Sequence, residues 1–122
     1  MEITNIVAKI MICNQNELTE EQKSVVEAAK IATLGSYAPY SHFNVGAGVL
    51  LDNGEIVKGS NQENAAYPSG TCAERTALFY AGANFPQAKV KKIAIIASHN
   101  GDFTKKVCSP CGACRQVMLE SQ

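Results

Sequence analysis

Two short cysteine clusters constrain the fold of this chain more than any other feature. The first is Thr71-Cys72-Ala73-Glu74-Arg75, and the second is Pro110-Cys111-Gly112-Ala113-Cys114-Arg115. Cys72 and Cys111 stand 39 positions apart. Between them lies the apolar run Ile93-Ala94-Ile95-Ile96-Ala97, which reads as a strand covered on both faces. Each cluster opens a helix-forming stretch, Cys72 to Ala83 and Cys111 to about Glu120. A helix, a strand and a return helix bring two helix N-termini to one edge of a sheet. The positive end of a helix lowers a thiol's pKa and favours the thiolate. Cys114 lies three residues beyond Cys111, so both sulfurs share one face of the first turn. Three thiolates with one open position form the layout of a catalytic zinc site. Taken singly, Cys72 reads as a small buried apolar residue. Cys111-x-x-Cys114 alone reads as a redox pair, and Glu74 alone as an exposed helix carboxylate. Their joint placement at two helix starts favours the metal.

The 122 residues suit one compact domain, 1–122, with a leading segment 1–16 of unassigned role. At 46% hydrophobic and 18% charged, the chain can build a core. Eleven basic residues balance eleven acidic ones, which gives no electrostatic case for a nucleic acid partner. Lys89, Lys91 and Lys92 read as a solvated strand end rather than a binding patch. The N-terminus lacks a basic region and a cleavage site. No apolar run approaches the roughly 18 residues that span a bilayer. The expectation is therefore a cytoplasmic protein without membrane contact, in a compartment where thiols stay reduced.

The rest of the pattern predicts an α/β fold. Ile6 to Ile12 is β-branched and reads as a short leading strand. Thr19-Glu20-Glu21-Gln22 reads as a capping box, opening a helix over Thr19 to Gly35 with Val25, Val26, Ala29, Ala32 and Leu34 at helical spacing. Phe43, Val45, Ala47, Val49 and Leu51 alternate with other residues as a strand does. Asp52-Asn53-Gly54-Glu55 is a tight-turn signal, and Ile56 to Asn61 is the returning strand.

Cys72-Ala73-Glu74 with Pro110-Cys111-x-x-Cys114 resembles the zinc motif of the cytidine deaminase superfamily, in the form with cysteine in place of the usual first histidine. Tyr40-Ser41-x-Phe43-x-Val45-Gly46-Ala47, Gly59-x-Asn61-x-Glu63-Asn64-Ala65 and Ser109-Pro110-Cys111-Gly112-Ala113-Cys114-Arg115-Gln116-Val117 extend the likeness to the small homotetrameric cytidine deaminases. The resemblance spans roughly Ser36 to Glu120. It implies a three-layer α/β/α fold with a mixed central sheet. It implies one Zn2+ per chain on Cys72, Cys111 and Cys114, with water in the fourth position and Glu74 as proton shuttle. Arg75 matches an arginine that hydrogen-bonds the ligand sulfurs and draws charge from them. Asn61 and Glu63 match a pair that holds the ribose, and Phe43 matches an aromatic residue against the pyrimidine. Ala73 and Cys111 match backbone contacts to the base. Ala65 and Tyr67 match positions donated to a neighbouring subunit's site. The substrate so implied is a small nucleoside, cytidine or deoxycytidine, in pyrimidine salvage.

Cys108 extends the spacing to Cys-x-x-Cys-x-x-Cys, but it precedes Pro110, outside the helix start, and reads as a non-ligand. His42 and His99 read as non-ligands too. A closed four-sulfur structural zinc module would leave Glu74, Asn61 and Glu63 unexplained. A drug-inactivating deaminase resembling blasticidin S deaminase shares the cysteine-type site, but the Phe43 and Asn61-x-Glu63 stretches favour the nucleoside enzyme. Members of the resembled family continue past the helix that opens at Cys111. The expectation is therefore a chain truncated at its C-terminus, with an uncovered edge beside Ile93 to Ala97.

Overall fold

The computed structural model covers residues 1–122. Its elements run α1 (Glu20–Ala32), β1 (Phe43–Leu51), β2 (Ile56–Ser60), α2 (Ala73–Asn84), β3 (Val90–His99), β4 (Asp102–Phe103) and α3 (Gly112–Glu120). The α/β class and the expected order of elements are both present. β4 is an addition, two residues long, which is too short to show any periodicity. No helix is long and apolar enough to cross a membrane.

The capping box forms as read. The Thr19 hydroxyl accepts from the Gln22 N–H at 3.2 Å, and the Gln22 side-chain amide oxygen (Oε1) accepts from the Thr19 N–H at 2.9 Å. Two donors that a helix start leaves orphaned are thus satisfied. α1 ends at Ala32, and the expected helical stretch to Gly35 is a 3₁₀ turn instead. The leading strand does not form. Residues 1–14 have no regular structure, and Ile6, Val7, Ile10, Met11 and Ile12 are exposed. β-branched residues favour a strand only where a neighbouring strand and a core accept them.

The sheet order is β2-β1-β3-β4, and all three pairings are antiparallel. The expected mixed sheet is corrected here. α2 carries the chain from β2 across to β3, so those two strands point the same way. β1 lies between them and opposes both. The only parallel pairing is the isolated bridge between Tyr37 and Gln62.

The three layers follow from the two faces of β1. On one face, Gly46 and Gly48 let α1 approach the sheet closely. A Cβ on Gly46 would stand 2.0 Å from the Ala29 carbonyl oxygen, and one on Gly48 would stand 2.5 Å from that of Val25. On the other face, Ala47, Val49 and Leu51, with Val57, pack against Ala73, Ala77, Leu78 and Ala81 of α2. Val117 and Met118 of α3 join this cluster. Small residues on α2 and apolar residues on β1 thus seat the N-terminus of α2 against the sheet.

β3 is less covered than its apolar run predicts. Ile93, Ala94, Ile95 and Ile96 are half-buried, and only Ala97 and Ser98 are buried. β4 pairs with Ser98 and His99 alone. The outer edge of β3 therefore keeps solvent contact along most of its length.

Candidate metal centre

Cys72 is the N-cap of α2 and Cys111 the N-cap of α3. Both have extended backbone there, which aims each sulfur across the mouth of its helix. Cys111 Sγ accepts from the Cys114 N–H at 3.4 Å. Cys114, one turn inside α3, is buried. The sulfurs of Cys72, Cys111 and Cys114 all lie within 4.8 Å of one another. The Cys72 and Cys111 sulfurs are 3.8 Å apart. Two thiolates on a tetrahedral zinc at about 2.3 Å each would stand about 3.8 Å apart, so the donor set fits that ion. Cys108 is outside this group of three.

The electrostatics differ between the sulfurs. The Cys114 N–H, donating to Cys111, holds that thiol below its usual range. Burial pushes the Cys114 thiol up to about 12. Cys108 is raised as well, by burial first and then by the charge of Glu74. A buried thiol gives up its proton when a metal takes its place. Arg75, in the first turn of α2, turns inward. Its Nη2 donates to Cys72 Sγ at 3.3 Å, and the sulfurs of Cys72 and Cys114 hold its guanidinium firmly in the charged form. Its Nε is buried without a partner. A guanidinium placed so is not a surface residue, and it balances charge that thiolates would bring.

Glu74 is 4% exposed, in the first turn of α2. Its charge reaches both Cys108 and Cys114. A buried carboxylate whose charge reaches a cluster sulfur, that of Cys114, is placed to accept and return protons.

The remaining expected residues fall into two groups. Asn61, Glu63, Phe43 and Ala73 are joined to the cysteines through backbone. The Asn61 amide donates to the Phe43 carbonyl at 2.8 Å, and its oxygen accepts from the Val45 N–H at 2.9 Å. The Ser36 hydroxyl donates to that same oxygen at 2.5 Å. Gln62 and Thr71 exchange two backbone hydrogen bonds, at 3.0 and 2.9 Å. Asn61 to Glu63 is thus fixed beside Thr71, the residue before Cys72. Ala73 is fully buried under the sheet. Ala65 and Tyr67 are not drawn in. Both are exposed, Tyr67 at 91%, on the loop before α2.

Glu63 is half-buried and accepts three hydrogen bonds from the turn before β1. Oε1 accepts from the Tyr40 and Ser41 N–H groups at 3.0 and 3.2 Å. Oε2 accepts from the Ser41 hydroxyl at 2.5 Å. That hydroxyl, ahead of the other causes, holds the Glu63 carboxyl below its usual range. Sequence reading gives Ser36 and Ser41 no role of their own, because a serine in a turn carries no pattern that marks its partner.

Fold and site together define a zinc deaminase with a cysteine-type centre. Residues 19–122 match the family described as the cytidine and deoxycytidylate deaminase zinc-binding region. The chain is 44% identical over 100 residues to a cytidine deaminase of Halalkalibacterium halodurans, covering 82% of this chain and 71% of that protein. It is 40% identical over 101 residues to a probable cytidine deaminase of Dictyostelium discoideum, covering 83% and 65%. The crystal structure of cytidine deaminase from Burkholderia pseudomallei superposes with a TM-score of 0.72 at 42% identity, covering 85% of this chain and 77% of that one. That from Mycobacterium tuberculosis gives 0.73 at 33% identity, covering 84% and 79%. The chain belongs to the cytidine and deoxycytidylate deaminase family, and its three cysteines fit one zinc ion per chain.

Proposed function

We propose that the chain, as a single domain over 1–122, catalyses the hydrolytic deamination of cytidine and deoxycytidine to uridine and deoxyuridine with release of ammonia. The observation that carries this reading is the convergence of the Cys72, Cys111 and Cys114 sulfurs beside buried Glu74. Cys72, Cys111 and Cys114 hold the zinc, which when bound supplies a Lewis acid that makes water a nucleophile near neutral pH. Glu74 takes a proton from the attacking water and delivers it to N3 of the ring. It then carries the second proton, from the oxygen added at C4, to the amino group. A C4–O bond forms, the C4–N bond breaks, and ammonia leaves. Arg75 offsets the negative charge of the sulfurs.

The substrate side rests on hydrogen-bond inventory. The Asn61 oxygen already accepts two bonds, and one amide hydrogen is used on Phe43. One donor therefore remains. Glu63 accepts three bonds of about four that a carboxylate takes. One free donor and one free acceptor suit a single sugar hydroxyl. Recognition through a single hydroxyl supports acceptance of both ribose and deoxyribose. Phe43, 36% exposed at the start of β1, offers a face to the pyrimidine, and Ala73 offers backbone to the base.

The sulfur cluster reaches solvent through exposed Cys111. Ala65 and Tyr67 are exposed on the loop before α2, open to a second subunit. This supports a homotetramer in which those two residues complete a neighbour's site. We propose in addition a role in pyrimidine salvage in the cytoplasm, in keeping with a nucleoside substrate. The test is an ultraviolet assay of cytidine loss with zinc measured on the same sample. Stoichiometric zinc without turnover of either nucleoside would overturn the proposal.

A further inference from the structure

We infer that Ser41 is a positioning residue for the nucleoside sugar: its hydroxyl holds Glu63 in its binding pose and ties that carboxylate to the backbone of Phe43. The inference rests on the reading of Glu63 as a sugar ligand.

The Ser41 hydroxyl has one proton to give. Ionised Glu63 only accepts, so that proton goes to Oε2. The hydroxyl oxygen in turn accepts from the Phe43 N–H at 3.1 Å. A single relay therefore runs from the residue proposed against the base to the residue proposed on the sugar. His42, between them, has a left-handed φ of 56°. This conformation is uncommon outside glycine and persists where surroundings hold it. The two backbone bonds on Oε1 fix one end of the carboxylate. Ser41 fixes the other, the oxygen that keeps the open acceptor position.

Glu63 is half-buried and its bonds to the turn are exposed, so packing alone does not fix its rotamer. Without the Ser41 bond, Oε2 would be free to swing, and a sugar hydroxyl would have to order it on binding. Such ordering subtracts directly from affinity. The loss should fall on ligands with a sugar and spare those without one.

The test uses the full zinc-loaded chain with Ser41→Ala, Ser41→Thr, Glu63→Ala and the double variant. Calorimetry gives the Kd of uridine and of uracil, and kinetics give KM and kcat for cytidine. Ser41→Ala is expected to raise the uridine Kd and the cytidine KM by up to about tenfold, with kcat and uracil Kd changed less than about threefold, because ordering one freed side chain on binding costs at most about that factor. Ser41→Thr keeps the hydroxyl and should restore most of the affinity. Adding Ser41→Ala to Glu63→Ala should cost nothing more. Equal losses for uridine and uracil would make Ser41 a plain structural latch and overturn the proposal. Loss with Glu63→Ala but none with Ser41→Ala would overturn Ser41 and spare Glu63. Unchanged uridine binding in Glu63→Ala would overturn the sugar reading, and this inference with it.

Discussion

Gly59→Ala tests how tightly the fold holds the site. Gly59 lies on β2 opposite Ala47 of β1, directly under α2. A Cβ there would meet the Ala77 nitrogen at 2.5 Å, the Ala73 carbonyl oxygen at 2.6 Å and the Ala77 Cβ at 2.8 Å. Ordinary contact begins near about 3.5 Å, so α2 must withdraw by about 1 Å. Overpacking of this kind costs about 1–3 kcal/mol, less up to about 1 kcal/mol that alanine returns by its smaller loss of backbone freedom. For a chain of this size each kcal/mol moves Tm by about 3–5 °C, so a net cost of up to about 3 kcal/mol gives a fall of up to about 15 °C. The collision is with the turn that carries Cys72 and Glu74. A 1 Å misplacement of catalytic groups costs about 10²-fold in rate. Gly82→Ala is the control, in the same helix with nothing within 4 Å of the added carbon. It should gain about 0.5–1 kcal/mol of helix propensity and keep its zinc. Thermal melts, metal analysis and cytidine turnover on the two variants decide it. If Gly59→Ala melts within 1 °C of the parent (about the scatter of a melt, given the slope above) and turns over normally, α2 is not seated as described.

Cys114→Ala should lose zinc and lower Tm, because ligand, metal and fold are coupled. Metal analysis and a melt check it, and full zinc retention would remove the site. Glu74→Gln should keep zinc but lose at least about 10²-fold in turnover, the usual loss with a general acid–base. Comparable rates would take Glu74 out of the mechanism. Arg75→Ala removes the positive charge on Cys72 Sγ. More negative charge raises the pKa of any group nearby that must lose a proton for reaction. The acid limb of the pH–rate profile should therefore move to higher pH, and an unshifted limb with normal rate would refute the role.

The metal half of the site was legible because its residue types are few and local. Cys72 and Cys111 each sit at a helix start, and a helix start is written in the residues that follow it. The strand between them then fixes that they meet. The hairpin was equally plain from the alternation after Phe43 and the turn at Asn53-Gly54. Strand direction was not legible, because it depends on α2 crossing over β1, a contact between segments far apart in sequence. Ile6 to Ile12 misled for the same reason, since its composition suits a strand that finds no partner. Gly46 and Gly48 read only as the less apolar face of β1. The structure gives them another role, as the surface on which α1 rests.

Asn61 and Glu63 look alike in sequence, two polar residues one apart on an extended segment, yet their surroundings separate them. Asn61 is half-buried and tied to Ser36, Phe43 and Val45. Removing it strands the Val45 N–H and the Phe43 carbonyl between β1 and the loop. Unsatisfied groups of that kind cost about 1–3 kcal/mol each when buried, and these are only partly buried. Asn61→Ala should therefore lose about 2–3 kcal/mol. The loop that carries Gln62 to Thr71 would loosen with it, and Thr71 precedes Cys72, so zinc affinity should fall as well. Glu63 is half-buried as well, but its bonds are exposed and end on a turn that water can also satisfy. Glu63→Ala should leave Tm and zinc nearly untouched and weaken only nucleoside binding. Chemical denaturation, metal analysis and uridine titration on both variants separate the two. Equal melting of Asn61→Ala and Glu63→Ala would mean that Asn61 does not brace the site and that its bonds to β1 carry no net stability.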